Sequence, residues 1–262
     1  MIRVQDLVKT FGELRAVDNI SFTVQPGEIF AFLGPNGAGK TTTIKMLTTL
    51  LKPTSGSLSI DGLDPAKHQN EARKRFGIVF QDPSLDSELT AYENMDIHGV
   101  LYGVPSVPRA ERIERLLKLF ELWDRRDGFA KTFSGGMKRR LEIARGFLHT
   151  PKILFLDEPT LGLDPQSRNQ LWNHVKHVNE TEGVTVFLTT HYMDEAERVA
   201  QRIAIIDHGK IVAQGTPDEL KLQTKTDSLE GAFLALTGNT IRDETANEGA
   251  DQLRQFKQMW RR

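Results

Sequence analysis

One stretch constrains this chain more than any other: Gly34-Pro35-Asn36-Gly37-Ala38-Gly39-Lys40-Thr41-Thr42. It follows the apolar run Ile29-Phe30-Ala31-Phe32-Leu33 and leads into Ile44-Lys45-Met46-Leu47. That order predicts a buried strand, a glycine loop and the start of a helix, and G-x-x-x-x-G-K-T in such a setting is a phosphate-binding loop. Glycines let the backbone turn sharply, so that consecutive N–H groups form a concave anion site. The helix start behind the loop adds unpaired donors and the positive end of its dipole. Lys40 is placed to reach the β- and γ-phosphates as a point charge, and the Thr41 hydroxyl to ligate Mg²⁺.

The rest of the composition narrows the class. A length of 262 residues suits one large domain, or a domain with a sub-domain. Lys and Arg (34) balance Asp and Glu (35), a net charge of -1, so no global basic field points to nucleic acid. Cysteine is absent, which excludes disulfides and thiolate metal sites and fits a reducing compartment. Met1-Ile2-Arg3-Val4-Gln5-Asp6 lacks the apolar centre of a signal peptide. No run of about 18 apolar residues occurs, so a membrane role is expected to come through a partner.

From Ile2 to Val24, short β-rich runs alternate with turn signals such as Phe11-Gly12-Glu13, which predicts antiparallel strands. Ser57–Ile60 and Gly77–Phe80 are further short strands. Between Asp82 and about Leu148 the pattern turns helical: Ile113, Leu116, Leu117, Phe120 and Trp123 recur at helical spacing, with Pro105 and Pro108 ahead of that helix. Apolar strands return at Lys152–Leu156 and Thr185–Thr189, with a crossover helix over Gln166–Thr181, and strand–helix–strand implies a parallel sheet. Ile203–Ile206 and Lys210–Ala213 flank Asp207-His208-Gly209 as a hairpin. The core is expected to be complete near Thr216-Pro217, followed by a short helix over Leu229–Leu236 ending at Gly238. Asn239–Ala250 has the polar composition of a linker, and Leu253–Arg262 is basic and amphipathic. That tail has two readings, a surface helix or a segment lying on an anionic membrane.

Asp157-Glu158 closes the strand ending at Leu156, at the edge where open α/β sheets bind ligands. Asp157 is the natural Mg²⁺ partner, directly or through water, and Glu158 is positioned as general base for an attacking water. Ser134-Gly135-Gly136-Met137 precedes a helical segment running to Leu148 and reads, by itself, as an N-cap with glycines in the turn.

Taken in order, the phosphate loop, a Gln after a strand, S-G-G, an apolar strand with D-E and a late His resemble the ATP-binding cassette ATPases. The resemblance runs from Ile2 to about Leu220, and the S-G-G signature is its specific part. It implies an α/β fold: a P-loop NTPase core with a mainly parallel sheet, an N-terminal antiparallel β sub-domain and a helical sub-domain inserted at about 82–150. The cassette would fill 1–220, with 221–262 a short helical extension and tail. Phe11 falls where the family places an aromatic on adenine, against the plain reading of a core-facing strand residue. Gln81 would be the Q-loop residue, contacting Mg²⁺ or water. Ser134, Gly135 and Gly136 would offer donors to the γ-phosphate held by another subunit, Asp164 would lie in the D-loop at the dimer interface, and His191 would hold the γ-phosphate and position the Glu158–water pair. Lys40 and the loop 34–42 would hold ATP. The chain departs from the family pattern at Phe133 and at Met137, which cannot make the hydrogen bonds of the more frequent Gln, and carries Phe11 for the more frequent Tyr.

The resemblance implies an ATPase, homodimeric or paired with a second ATPase subunit. It would power transport, and on the Leu229–Gly238 segment export, through a separate membrane-spanning subunit, from the cytoplasmic face of the membrane. Two other classes use part of this pattern. Cassette ATPases of the ribosome or nucleic acid usually carry two cassettes, and small-molecule P-loop kinases lack the S-G-G signature and the late His.

Overall fold

Three strands of this chain are buried at every position because both of their faces are covered. In the computed structural model, which describes residues 1–238, every residue of Ile29–Leu33 (β3), Ile153–Asp157 (β6) and Thr185–Thr190 (β7) is buried. Alternate side chains go to opposite faces. Ile29, Ala31, Leu33, Leu154, Leu156, Val186, Leu188, Ile203 and Ile205 enter one core. Phe30, Phe32, Ile153, Phe155, Phe187, Ala204 and Ile206 enter the other.

In chain order the elements begin with β1 (Ile2–Phe11), β2 (Leu14–Val24) and β3, then α1 (Lys40–Leu47), β4 (Ser55–Ile60), α2 (Gln69–Arg73) and β5 (Phe76–Val79). Helices α3 (Ala91–Leu101), α4 (Ser106–Leu119) and α5 (Gly135–Phe147) follow, then β6, α6 (Pro165–Glu182), β7 and α7 (Met193–Val199). The described chain ends with β8 (Arg202–Asp207), β9 (Lys210–Gly215), α8 (Pro217–Thr224) and α9 (Leu229–Thr237). The large sheet has the order β5-β6-β7-β3-β8-β9, parallel except for the β8–β9 hairpin. A second sheet, β2-β1-β4, is antiparallel and packs its apolar face over α1 and the phenylalanines of the large sheet. There Phe22 lies 5.5 Å from Phe32 and 5.8 Å from Phe187, ring centre to ring centre.

Helices α3, α4 and α5 stand together between β5 and β6. Thr90 and Glu93 form a capping box at the start of α3. Helix α4 buries Ile113, Leu116 and Leu117, as its periodicity predicts, and stops before Trp123: Glu121 adopts a left-handed φ of 57°, which ends the helix, and Trp123 lies in a 3₁₀ turn. Pro108 sits inside the first turn of α4 rather than ahead of it, where a missing N–H leaves no ladder bond unmade.

The expectation that the core is complete near Thr216-Pro217 does not hold. Leu220 of α8 and Leu229 and Phe233 of α9 are buried in the main core, because these helices pack on β9 and α7. The linker and the basic segment read in 239–262 lie outside the described residues. Among those described, no helix is long and apolar enough to cross a membrane.

Candidate functional site: a nucleotide cradle at the strand ends

Strand register decides where the site lies. Leu33 of β3 pairs with Thr190 of β7, and Thr189 pairs with Asp157 of β6. Three adjacent parallel strands therefore end level, and the residues just past those ends, Gly34, Glu158 and His191, meet at one edge of the sheet. Val79 of β5 pairs with Leu156, which brings the exposed Gln81 to the same edge.

The phosphate loop turns tightly over this edge. Gly39 holds φ at 104°, and a Cβ there would stand 2.6 Å from the Ala16 carbonyl oxygen. No side chain caps the start of α1, unlike α5 and α6, whose first amides bond the side chains of Ser134 and Asp164. Lys40 is buried, and its Nζ donates to the carbonyls of Gly34 (2.6 Å) and Pro35 (3.2 Å). The same Nζ stands 3.0 Å from Glu158 Oε1, an ion-pair contact without hydrogen-bond alignment.

Glu158 is held in an unusual backbone conformation. Its φ is 47°, left-handed for a side-chain-bearing residue and immediately before Pro159, a strain on the order of 1–3 kcal/mol. Its N–H reaches the Thr189 hydroxyl (3.1 Å) and carbonyl (3.2 Å). Its Oε2 lies 2.9 Å from His191 Nδ1. One carboxylate thus spans Lys40 and His191.

Asp157 is buried, and burial pushes its carboxyl above the usual range, while hydrogen bonds from Thr189 and Thr41 pull it back. Oδ1 accepts from Thr189 Oγ1 (2.6 Å) and Thr41 Oγ1 (3.3 Å), but the buried Oδ2 has no protein partner. An orphaned carboxylate oxygen beside a threonine hydroxyl is the donor set a hard divalent cation takes, so Asp157 and Thr41 fit Mg²⁺.

The remaining expected residues lie elsewhere. Phe11 is 41% exposed at the end of β1 and carries Lys9 Nζ 5.0 Å from its ring centre, which removes the core-facing reading. Ser134 caps α5 by accepting from Met137 N–H at 3.3 Å. Gly136 faces Ser167 of α6, and Asp164 caps that helix through Ser167 N–H (2.9 Å) and Oγ (2.7 Å). Among the described residues, no hydrogen bond or ion pair joins Ser134, Gly135, Gly136 or Asp164 to Lys40, Asp157, Glu158 or His191. Sequence reasoning missed Thr189, which ties Asp157 to Glu158, and Arg139 of α5, a buried guanidinium that reaches the Asp157-Glu158-Pro159 turn. The nearest signal for Arg139 was Glu142 one turn on, hidden in the basic run Lys138-Arg139-Arg140.

Known proteins match this geometry. Residues 17–161 match the ABC transporter family. The chain is 47% identical over 220 residues to the daunorubicin/doxorubicin resistance ATP-binding protein DrrA of Streptomyces peucetius, covering 84% of this chain and 66% of that one. It is 42% identical over 220 residues to the Nod factor export ATP-binding protein I of Ralstonia nicotianae, covering 84% and 68%. The chain thus spans about two thirds of the length of these relatives. A solved dimeric ATP-binding cassette in a post-hydrolysis state, bound to ADP and Pi, superposes with a TM-score of 0.75 at 28% identity, over 82% of this chain and 98% of that one. The chain belongs to the ABC transporter family, as an ATP-binding cassette that hydrolyses ATP.

Proposed function

We propose that this cassette powers export through a separate membrane-spanning subunit, by ATP-driven head-to-tail pairing of two ATPase subunits at the cytoplasmic face of the membrane. The observation that carries the reading is the split between the two groups of residues. Lys40, Asp157, Glu158 and His191 cluster at one sheet edge, whereas Ser134, Gly135, Gly136 and Asp164 sit together at the starts of α5 and α6. A two-fold pairing would bring the second group of one copy to the nucleotide of the other and make two composite sites. The names of the relatives, one for drug resistance and one for Nod factor export, support the direction.

Within such a site the phosphate loop 34–42 and Lys40 bind the phosphates, with adenine on the open face of Phe11. Thr41 and Asp157, with Gln81 nearby, would hold Mg²⁺, which neutralises charge on the phosphates. Glu158 takes the proton of the attacking water, and its bond to His191 Nδ1 fixes the ring so that its far nitrogen serves the γ-phosphate. Closure depends on contacts that only the γ-phosphate supplies, so hydrolysis lets the pair reopen. A subunit gripping the helices α3–α5 converts that cycle into movement.

The test is light scattering of the Glu158→Gln protein with ATP, with Ser134→Arg added as the control. ATP-dependent dimers that Ser134→Arg abolishes are expected. Dimers indifferent to both ATP and Ser134→Arg would sink the composite site.

A further inference from the structure

The signature helix is bolted to the catalytic turn by one buried side chain. All five N–H donors of the Arg139 guanidinium are used. Nε donates to Pro159 O (2.7 Å), Nη2 to the carbonyls of Asp157 and Glu158 (3.1 Å each), and Nη1 to Phe80 O and to Glu142 Oε2 (3.1 Å). Three consecutive carbonyls of the turn that holds Glu158 at φ 47° thus converge on a single fork. Phe80 is the residue immediately before Gln81. Glu142, one turn further along α5, extends the strap: its Oε1 accepts from Ser84 N–H (2.6 Å) and Ser84 Oγ (3.2 Å). Arg145 closes it by donating to Ser84 O at 2.9 Å.

Packing alone does not explain the choice, since an apolar side chain would fill the space without burying a charge. The arrangement instead fixes geometry. One side chain thus links the turn carrying Glu158, the residue before Gln81 and the helix capped by Ser134. We propose that Arg139 is a positioning residue for hydrolysis, which sets the direction of the Glu158 carboxylate, with Glu142 as its anchor to the segment after Gln81. The inference rests on Glu158 being the general base. Without the fork the turn loses three of the hydrogen bonds that hold its left-handed φ, and the carboxylate drifts from its place between Lys40 and His191. A misplacement of about 1 Å in a reacting group is enough to cost roughly a hundredfold in rate.

The experiment is ATP turnover by the full chain with Arg139→Gln, Arg139→Lys and Glu142→Gln. Affinity for a non-hydrolysable ATP analogue and urea unfolding are measured alongside. Expected for Arg139→Gln is a fall in kcat of about 10- to 100-fold per folded molecule, with analogue affinity and KM within about twofold. Lys presents its donors from one point and cannot span diverging carbonyls, so it should rescue little. Glu142→Gln should fall between Arg139→Gln and the wild type. If Arg139→Gln does not fold, Arg139→Lys and Glu142→Gln carry the same comparison. Unchanged kcat, full rescue by Lys, or loss of analogue affinity as large as the loss of kcat would each overturn the assignment. Glu158→Gln separates the two levels: if it still turns over ATP, the general-base reading falls, whereas an inactive Glu158→Gln with an active Arg139→Gln sinks the positioning role alone.

Discussion

Two histidines behind the helices make a prediction whose sign follows from the structure. His98 at the end of α3 and His149 after α5 pack against Tyr102, with ring centres 4.7 and 3.9 Å from it. His149 Nε2 donates to Phe76 O (3.0 Å), which leaves a buried Nδ1 without a partner, and His98 Nε2 is likewise buried and unpartnered. Protonation would strand an N–H at each, so burial, with the positive charge of Arg145 near His98 and of Arg112 near His149, pulls them down from 6.5 to about 3 and about 4. The unfolded rings take up protons as pH falls through 6.5; the folded rings do not until about 3 to 4. Stability present above pH 6.5 is therefore lost as pH falls toward about 4, at up to ~1.4 kcal/mol per pH unit for each ring. From pH 7.5 to 5 that is at most about 2 kcal/mol per ring, and roughly 1–2 after allowance for the partial exposure of both. The pair is worth about 2–4 kcal/mol, against a total of ~5–15. The assay is urea unfolding at both pH values, comparing wild type with His98→Phe/His149→Gln. Phe keeps the ring contact with Tyr102, and the Gln amide can donate to Phe76 O. The variant should lose about 2–4 kcal/mol less over that interval. Equal losses in both proteins would refute the reasoning, since carboxylates titrating in the same range are common to the two.

Two further substitutions probe the cradle. Thr189→Val keeps the volume but removes the hydroxyl bonding Asp157 and Glu158, so urea unfolding should show a loss of about 1–3 kcal/mol and kcat should fall by roughly tenfold. Gly39→Ala must adopt a φ of 104° and meet the Ala16 carbonyl at 2.6 Å; calorimetry should find ATP bound at least about tenfold more weakly.

What could be read from the sequence divides along physical lines. Strands β3, β6, β7 and β8 were legible because burial on both faces demands unbroken apolar runs. Lys40 was legible from the G-x-x-x-x-G-K-T loop and Asp157-Glu158 from the end of an apolar strand, whereas His191 stood out only through the order of the other motifs. Thr189 was not, since a β-branched residue at the end of an apolar strand reads as strand and nothing more. Arg139 was not, because a basic run on a helix reads as solvated surface until the helix is known to turn that one face inward. Leu220, Leu229 and Phe233 looked like an appendage after Thr216-Pro217. Whether an amphipathic helix joins the core depends on a facing surface, here β9 and α7, that no local pattern reveals.

Four side chains from three parts of the chain hold Glu158. Lys40 reaches it from the start of α1, His191 from the end of β7, Thr189 from within β7, and Arg139 grips its carbonyl from α5. Thr189 and His191 share β7 and its end, and Lys40 follows the loop after β3, which pairs with β7, so these three are tied together by strand register. The fourth belongs to a helix that stands with α3 and α4, outside that sheet. A force on these helices therefore reaches the catalytic turn through side-chain hydrogen bonds rather than through strand pairing, and those are the weaker links. The residues proposed to bind nucleotide lie on the rigid side of this division, so displacement of α5 should change turnover before it changes nucleotide affinity. On the proposed function, that asymmetry would let nucleotide stay bound while hydrolysis waits on the position of α5.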